Sequence, residues 1–161
     1  MTQPHTDYDT IVVGGGPSGA TAAHELANKG HRVLLLERGF RIKPCGGAIP
    51  PCLLQEFNIP DHLVVARIRS ARMISPKGQS VDMPIDGTFV GMVDRDEFDP
   101  WLRQRASEAG ATVVPGVFKS LEYQEELVSL TYQTKDENPR TITVTARSVL
   151  GADGARSAVA R

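Results

Sequence analysis

Apolar residues fall in short blocks along the chain, and the spacing within each block predicts an element. Asp9 to Val13 reads as a first strand, and an alanine-rich stretch running to Lys29 reads as a helix of about three turns. Arg32 to Glu37 forms a second apolar strand. From Asp94, an acidic first turn and Phe98, Leu102 and Ala106 at helical spacing predict another helix, ending at Gly110. A third parallel strand is expected at Thr112 to Val114. Val117 to Tyr123, Leu127 to Thr134 and Thr141 to Thr145 alternate apolar with polar residues, and the last two flank the polar turn Lys135-Asp136-Glu137-Asn138-Pro139. They predict a three-stranded antiparallel meander used as a crossover. The chain then returns through Ser148-Val149-Leu150 to Gly151-Ala152-Asp153-Gly154, with a helix expected to start after Ser157.

The middle of the chain breaks this rhythm. Arg38 to Ala48 is too rich in Gly and Pro for a helix and too irregular for a strand, so a long loop is expected. Pro50-Pro51 starts a short helix through Phe57. Strand-like segments follow near Ala66 to Ser75, Ser80 to Pro84 and Thr88 to Val93, read as an inserted antiparallel layer.

The turn between the first strand and helix carries the chemistry. Gly14, Gly16 and Gly19 have the G-x-G-x-x-G spacing, and each answers a steric demand. Gly14 permits a tight turn off the strand, Gly16 lets a phosphate approach bare backbone, and Gly19 removes a Cβ where the helix lies close on the strand. An anion there meets open N–H groups and the positive end of the helix dipole, roughly half a charge. Glu37 follows about 20 residues later, placed to accept the hydroxyls of an adenosine ribose and to repel a 2′-phosphate. The expected fold class is therefore α/β, Rossmann-like: a parallel sheet with an antiparallel β-meander crossover and an inserted β layer, spanning residues 1–161 as one domain.

Composition narrows the partners. At 161 residues, 40% hydrophobic and a net charge of -1, the chain has the makeup of an ordinary soluble core former. It lacks a basic footprint for nucleic acid. The polar start runs almost directly into the first strand, without room for a signal peptide, and no apolar stretch is long enough to cross a bilayer; the expected compartment is the cytoplasm. Cys45 and Cys52 fit neither a C-x-x-C redox pair nor a zinc spacing and are expected to be reduced thiols. His5, His24, His31 and His62 are scattered, so no metal site is expected.

Three segments, taken in order, resemble the FAD-binding signatures of the aromatic-hydroxylase-like flavoproteins. They are Gly14 to Gly19 with Glu37-Arg38, then Arg95-x-x-Phe98-Asp99-x-x-Leu102, then Gly151-Ala152-Asp153-Gly154-Ala155-Arg156-Ser157 with Arg161. Within that group, Lys43-Pro44-Cys45-Gly46-Gly47-Ala48-Ile49-Pro50, Met73-Ile74-Ser75-Pro76 and Val90 to Arg95 resemble the geranylgeranyl reductase family, particularly the branch serving chlorophyll and bacteriochlorophyll synthesis. The resemblance covers nearly all of this chain and only the N-terminal part of such an enzyme. The chain is thus expected to be part of a longer protein and to be inactive alone, lacking a substrate-binding region.

The resemblance implies an FAD-binding domain. Gly14, Gly16, Pro17, Ser18 and Gly19 would take the pyrophosphate and Glu37 the adenosine ribose. Arg38 would lie over the adenine or remain a solvated charge. Arg95 would reach the cofactor or join a surface ion pair, and Val117 is assigned to the cofactor as well. Asp153 and Gly154 would approach its phosphate and ribityl portion, unless Asp153 is merely a helix cap. Lys43 to Gly47, with Cys45, Gly46 and Gly47 among them, would lie against the isoalloxazine ring. Cys45 would be a reactive thiol with its pKa lowered by Arg41 and Lys43, or, more commonly, a buried inert one.

The implied activity is FAD-dependent reduction of isolated C=C bonds in a geranylgeranyl chain, on the diphosphate or a chlorophyll-type pigment, with electrons from NADPH or a ferredoxin-like donor. A prenyl substrate is lipid-like and implies peripheral membrane contact of the full-length protein. The rivals are a flavin monooxygenase of the aromatic-hydroxylase type, a flavoprotein disulfide reductase disfavoured by the cysteine spacing, and a catalytically inactive nucleotide-binding or interaction segment.

Overall fold

A run such as Ile11-Val12-Val13, at most 4% exposed, needs strand partners on both sides, because buried backbone N–H and C=O groups are costly to leave unpaired. The computed structural model describes residues 5–39 and 45–161, and it supplies them. Strand β1 (Thr10–Val13) pairs in parallel with β2 (Val33–Glu37) on one side and with a strand at Ser148–Gly151 on the other. The chain divides into two compact units, Met1–Arg41 with Asp99–Arg161, and Ile42–Phe98.

Between β1 and β2 runs α1 (Pro17–Asn28). The unit Ile42–Phe98 contains β3 (Ala48–Ile49), α2 (Pro51–Glu56), a 3-10 turn at Asp61–Leu63, β4 (Val64–Ile68), β5 (Ser70–Ile74), β6 (Ser80–Pro84) and β7 (Val90–Val93). Its strands form a three-stranded sheet in the order β3-β7-β4 and a separate β5-β6 hairpin. The single strand expected near Ala66 to Ser75 is thus two strands in different sheets. Helix α3 (Arg95–Glu108) leads back to the first unit.

There, β8 (Thr112–Gln124), β9 (Leu127–Thr134), β10 (Thr141–Ala146) and β11 (Ser148–Gly151) complete a six-stranded sheet ordered β10-β9-β8-β2-β1-β11. This is a Rossmann-like α/β fold. The third parallel strand and the first meander strand, expected as separate elements, are one strand. Leu34 to Glu37 pair in parallel with Thr112 to Pro115, and Gly116 onward pairs antiparallel with β9. Pro115 lacks only an N–H, which the last position of the parallel ladder does without. The antiparallel register slips between Phe118 and Ser120, a bulge that bends a strand. After β11, residues 155–156 and 159–160 form turns.

Alternation divides the parallel strands between two layers. Ile11, Val13, Leu34 and Leu36 share one cluster with Leu130, Tyr132 and Ala146, so the meander covers that face. Val12 and Leu35 alternate to the other side. Helix α1 packs against β1 and β2 with Ala20, Ala23 and Ala27 buried. Burying each large side chain fully contributes about 1.5–3 kcal/mol.

Two carboxylates pin the strand entrances. The Arg32 backbone N–H and guanidinium both donate to Asp9, at 2.8 and 3.0 Å, joining the start of β2 to β1. These bonds bring the Asp9 carboxyl down to about 2. Asp7 Oδ2 accepts the Thr145 N–H and hydroxyl at 2.8 and 2.9 Å, tying the chain entry to β10.

Candidate functional site

The C-terminal ends of β1, β2 and β11 meet at the glycine turn, the edge where ligands bind in open α/β sheets. Gly14 leaves β1 at φ +107, a conformation that favours glycine. Its N–H donates to the Leu36 carbonyl at 2.8 Å, while the Ala152 N–H donates to the Val13 carbonyl at 2.7 Å. A Cβ on Gly14 would lie 2.6 Å from the Ala152 carbonyl carbon and 2.9 Å from Asp153 Cα. One on Gly19 would overlap the Gly14 carbonyl oxygen and lie 3.0 Å from Ala152 Cβ. The first turn of α1 is therefore seated directly on the strand end, which only a residue without a side chain allows.

Gly16 is buried, with extended backbone at the helix N-cap, and no side chain caps the first turn. Pro17 opens the helix where a missing N–H costs nothing. Ser18 is exposed. This leaves helix N–H groups and the dipole's positive end without a side-chain acceptor, which suits an anion.

Glu37 ends β2 and faces this turn. Its Oε2 accepts the Gly15 N–H at 2.6 Å and its Oε1 accepts the Gly39 N–H at 3.0 Å. A carboxylate has about four lone-pair sites, so each oxygen keeps capacity for a hydroxyl. Arg38 is exposed beside it.

Asp153, two residues beyond the end of β11, lies against Gly14. Its Oδ2 accepts the Ala158 N–H at 2.6 Å and the Val159 N–H at 3.4 Å, so this oxygen does cap the following turn. Its Oδ1 is buried without a hydrogen-bond partner. Burial raises the Asp153 carboxyl, but hydrogen bonds from Ser157 and from the Ala158, Asp153 and Val159 amides outweigh it and hold the group below its ordinary value. Gly154 follows at φ +90. Val117 is half-buried on β8, opposite Gln133.

The structure thus gathers Gly14, Gly16, Pro17, Ser18, Gly19, Glu37, Asp153 and Gly154 at one sheet edge. A bare helix N-terminus, a close-fitting glycine cradle and an orphaned carboxylate oxygen fit a dinucleotide.

The remaining expected site residues belong to the unit Ile42–Phe98. Gly47 is buried at φ +68, its carbonyl accepting the Val93 N–H at 2.9 Å, and Gly46 is exposed. Cys45 and Cys52 are exposed, so Cys45 is not the buried thiol of the commoner reading. Arg41, Lys43 and Pro44 lie outside the described residues. Arg95 opens α3, half-buried. The Asp94 carboxyl beside it is pushed above its ordinary value, chiefly by the charge of Asp96. Among the described residues no His, Cys, Asp and Glu side chains group to hold a metal, and no helix is long and apolar enough to cross a membrane.

The family described as NAD(P)-binding Rossmann-like domain matches residues 12–50. Geranylgeranyl diphosphate reductase of Rhodobacter capsulatus is 53% identical over 152 residues, covering 94% of this chain and 39% of that protein. The chain belongs to the geranylgeranyl reductase family. The chloroplastic geranylgeranyl diphosphate reductase of Arabidopsis thaliana is 40% identical over 93% of this chain and 34% of its own length. The crystal structure of a geranylgeranyl bacteriochlorophyll reductase-like protein of Thermoplasma acidophilum superposes with a TM-score of 0.80 at 27% identity, over 91% of this chain and 39% of that one. The chain spans little more than a third of the length of these family members.

One residue at the site had no role in the sequence reading. Arg103 of α3 is 8% exposed, and its Nη1 donates to the Gly15 carbonyl at 3.0 Å. Its position four residues after Asp99, beside the apolar stripe of Phe98, Leu102 and Ala106, looks in sequence like half of a solvated ion pair.

Proposed function

We propose that this chain is the FAD-binding part of a reductase that saturates C=C bonds of a geranylgeranyl group, on the diphosphate or on a chlorophyll-type pigment. Identity of 53% to a geranylgeranyl diphosphate reductase carries the reading, and the bare, glycine-seated start of α1 supports it. The names of the sequence relatives do not favour a monooxygenase or an inactive segment.

When bound, FAD supplies the hydride for an isolated alkene, with electrons from NADPH or a ferredoxin-like donor. The chain's residues bind and orient. The amides at Gly16 to Gly19 hold the pyrophosphate, with Gly14 and Gly19 keeping the helix close enough to do so. Glu37 accepts ribose hydroxyls and repels a 2′-phosphate, and Arg38 lies over the adenine. Asp153 and Gly154 meet the phosphate and ribityl portion. Val117 and Arg95 complete the cofactor's surroundings, and Cys45, Gly46 and Gly47 allow close approach to the ring system. A prenyl substrate places the full-length protein at a membrane surface, and the chlorophyll-type substrate would place it in photosynthetic pigment synthesis.

The test is flavin absorbance of the purified full-length protein, followed by product analysis with NADPH and geranylgeranyl diphosphate. Bound flavin and a reduced prenyl chain are expected. A protein without flavin, or one that only oxygenates its substrate, would refute the reading.

A further inference from the structure

Gly15 is the variable position between the first two glycines of the motif, yet both of its backbone polar groups are held by charged side chains from separate elements. Glu37, at the end of β2, takes its N–H at 2.6 Å, and Arg103, from α3, donates to its carbonyl at 3.0 Å. The clamp is tight. A Cβ on Gly15 would lie 3.0 Å from Glu37 Cβ and 3.1 Å from Arg103 Cδ.

A guanidinium this deeply buried is expensive to keep, and truncating it would leave a buried acceptor without its donor. Burial lowers the Arg103 pKa, while the carboxylates of Asp99 and Glu37 oppose that shift and compensate the charge. Arg103 is thus placed by its counter-charges and spends a hydrogen bond on one peptide of the phosphate loop. With Glu37 holding the Gly14–Gly15 peptide and Arg103 the Gly15–Gly16 peptide, the direction of the loop amides that follow is fixed, and an oriented set of donors binds an anion without first losing conformational entropy.

We propose that Arg103 is a positioning residue for the dinucleotide: through the Gly15 carbonyl it locks the glycine turn in its anion-binding conformation. The inference rests on the FAD reading for its ligand, but not for its effect on the loop.

Two measurements on the full-length protein separate these dependences. Arg103→Met keeps the buried stem and removes the donor; Arg103→Lys restores a cation and a donor. Backbone amide exchange of the ligand-free proteins reads the loop itself. In Arg103→Met, the amides of Gly15, Gly16, Ser18 and Gly19 should exchange at least about tenfold faster while Leu34 to Leu36 keep wild-type protection, and Arg103→Lys should recover part of the difference. FAD affinity of the stripped proteins, from quenching of flavin fluorescence, should fall at least about tenfold in Arg103→Met, with ADP falling by a similar factor because both carry the pyrophosphate.

Unchanged loop exchange in Arg103→Met would overturn the proposal. So would faster exchange spread equally over Leu34 to Leu36, or no recovery in Arg103→Lys, because Arg103 would then serve only to support the core. If loop exchange responds as expected but the wild-type protein binds neither FAD nor ADP, the locking role stands and the FAD reading fails.

Discussion

Gly19 sits so close to Gly14 that a Cβ on Gly19 would overlap the Gly14 carbonyl oxygen. The obstacle is backbone, which no rotamer change can relieve. Gly19→Ala should therefore push α1 off the end of β1, with an overpacking cost of about 1–3 kcal/mol. Urea denaturation would show the lost stability, and FAD retention should fall with it. Ser18→Ala, one residue away at an exposed position, should leave the urea midpoint within experimental scatter.

Glu37 has two tasks that one substitution separates from folding. Glu37→Ala leaves the amides of Gly15 and Gly39 without their acceptor, and an unsatisfied donor costs about 1–3 kcal/mol when buried; at a half-buried site the lower end is expected. The same change removes the charge that repels a 2′-phosphate. Calorimetric titration should show weaker binding of ADP, and a ratio of 2′-phospho-ADP to ADP affinity that moves toward unity. An unchanged ratio would place the ribose elsewhere.

Acid should loosen the sheet through Asp9. Its carboxyl titrates at about 2 in the fold against an ordinary 3.8, so folding favours the ionised form. The contribution is complete above about pH 5 and is lost as the pH falls through about 2. Asp7 is shifted in the same direction by its bonds to Thr145. Urea midpoints measured from pH 6 down to pH 2 should decline in the wild type and decline less steeply in Asp9→Asn, whose value at pH 6 should already be lower.

Much of this arrangement was legible in the chain. Ile11 to Val13, the glycine spacing and Leu34 to Leu36 are local signals, each answering to nearby sterics or burial, and they gave β1, the glycine turn and β2 directly. The length of β8 was not legible, because Pro115-Gly116 reads as punctuation when its strand partners are unknown. With Glu37 opposite Pro115 and Thr134 opposite Gly116, the same pair is simply the point where one strand changes neighbours.

Residues such as Arg103 were missed for a related reason. A charge beside an apolar stripe is solvated in most helices, and only the tertiary approach of α3 to the glycine turn makes this one a buried donor. The capping use of Asp153 was among the readings of the sequence. Its unpartnered Oδ1 was not legible, because it depends on burial that only the folded chain shows.

The central claim is that the amides opening α1 hold the pyrophosphate of an adenine dinucleotide. A crystal structure of the full-length protein with FAD tests it most directly. The account predicts phosphate oxygens within about 3.2 Å of backbone nitrogens in the Gly16 to Gly19 turn, with Glu37 at the adenosine ribose. A dinucleotide bound at any other edge of the sheet, or a first turn of α1 closed by protein side chains, would contradict it.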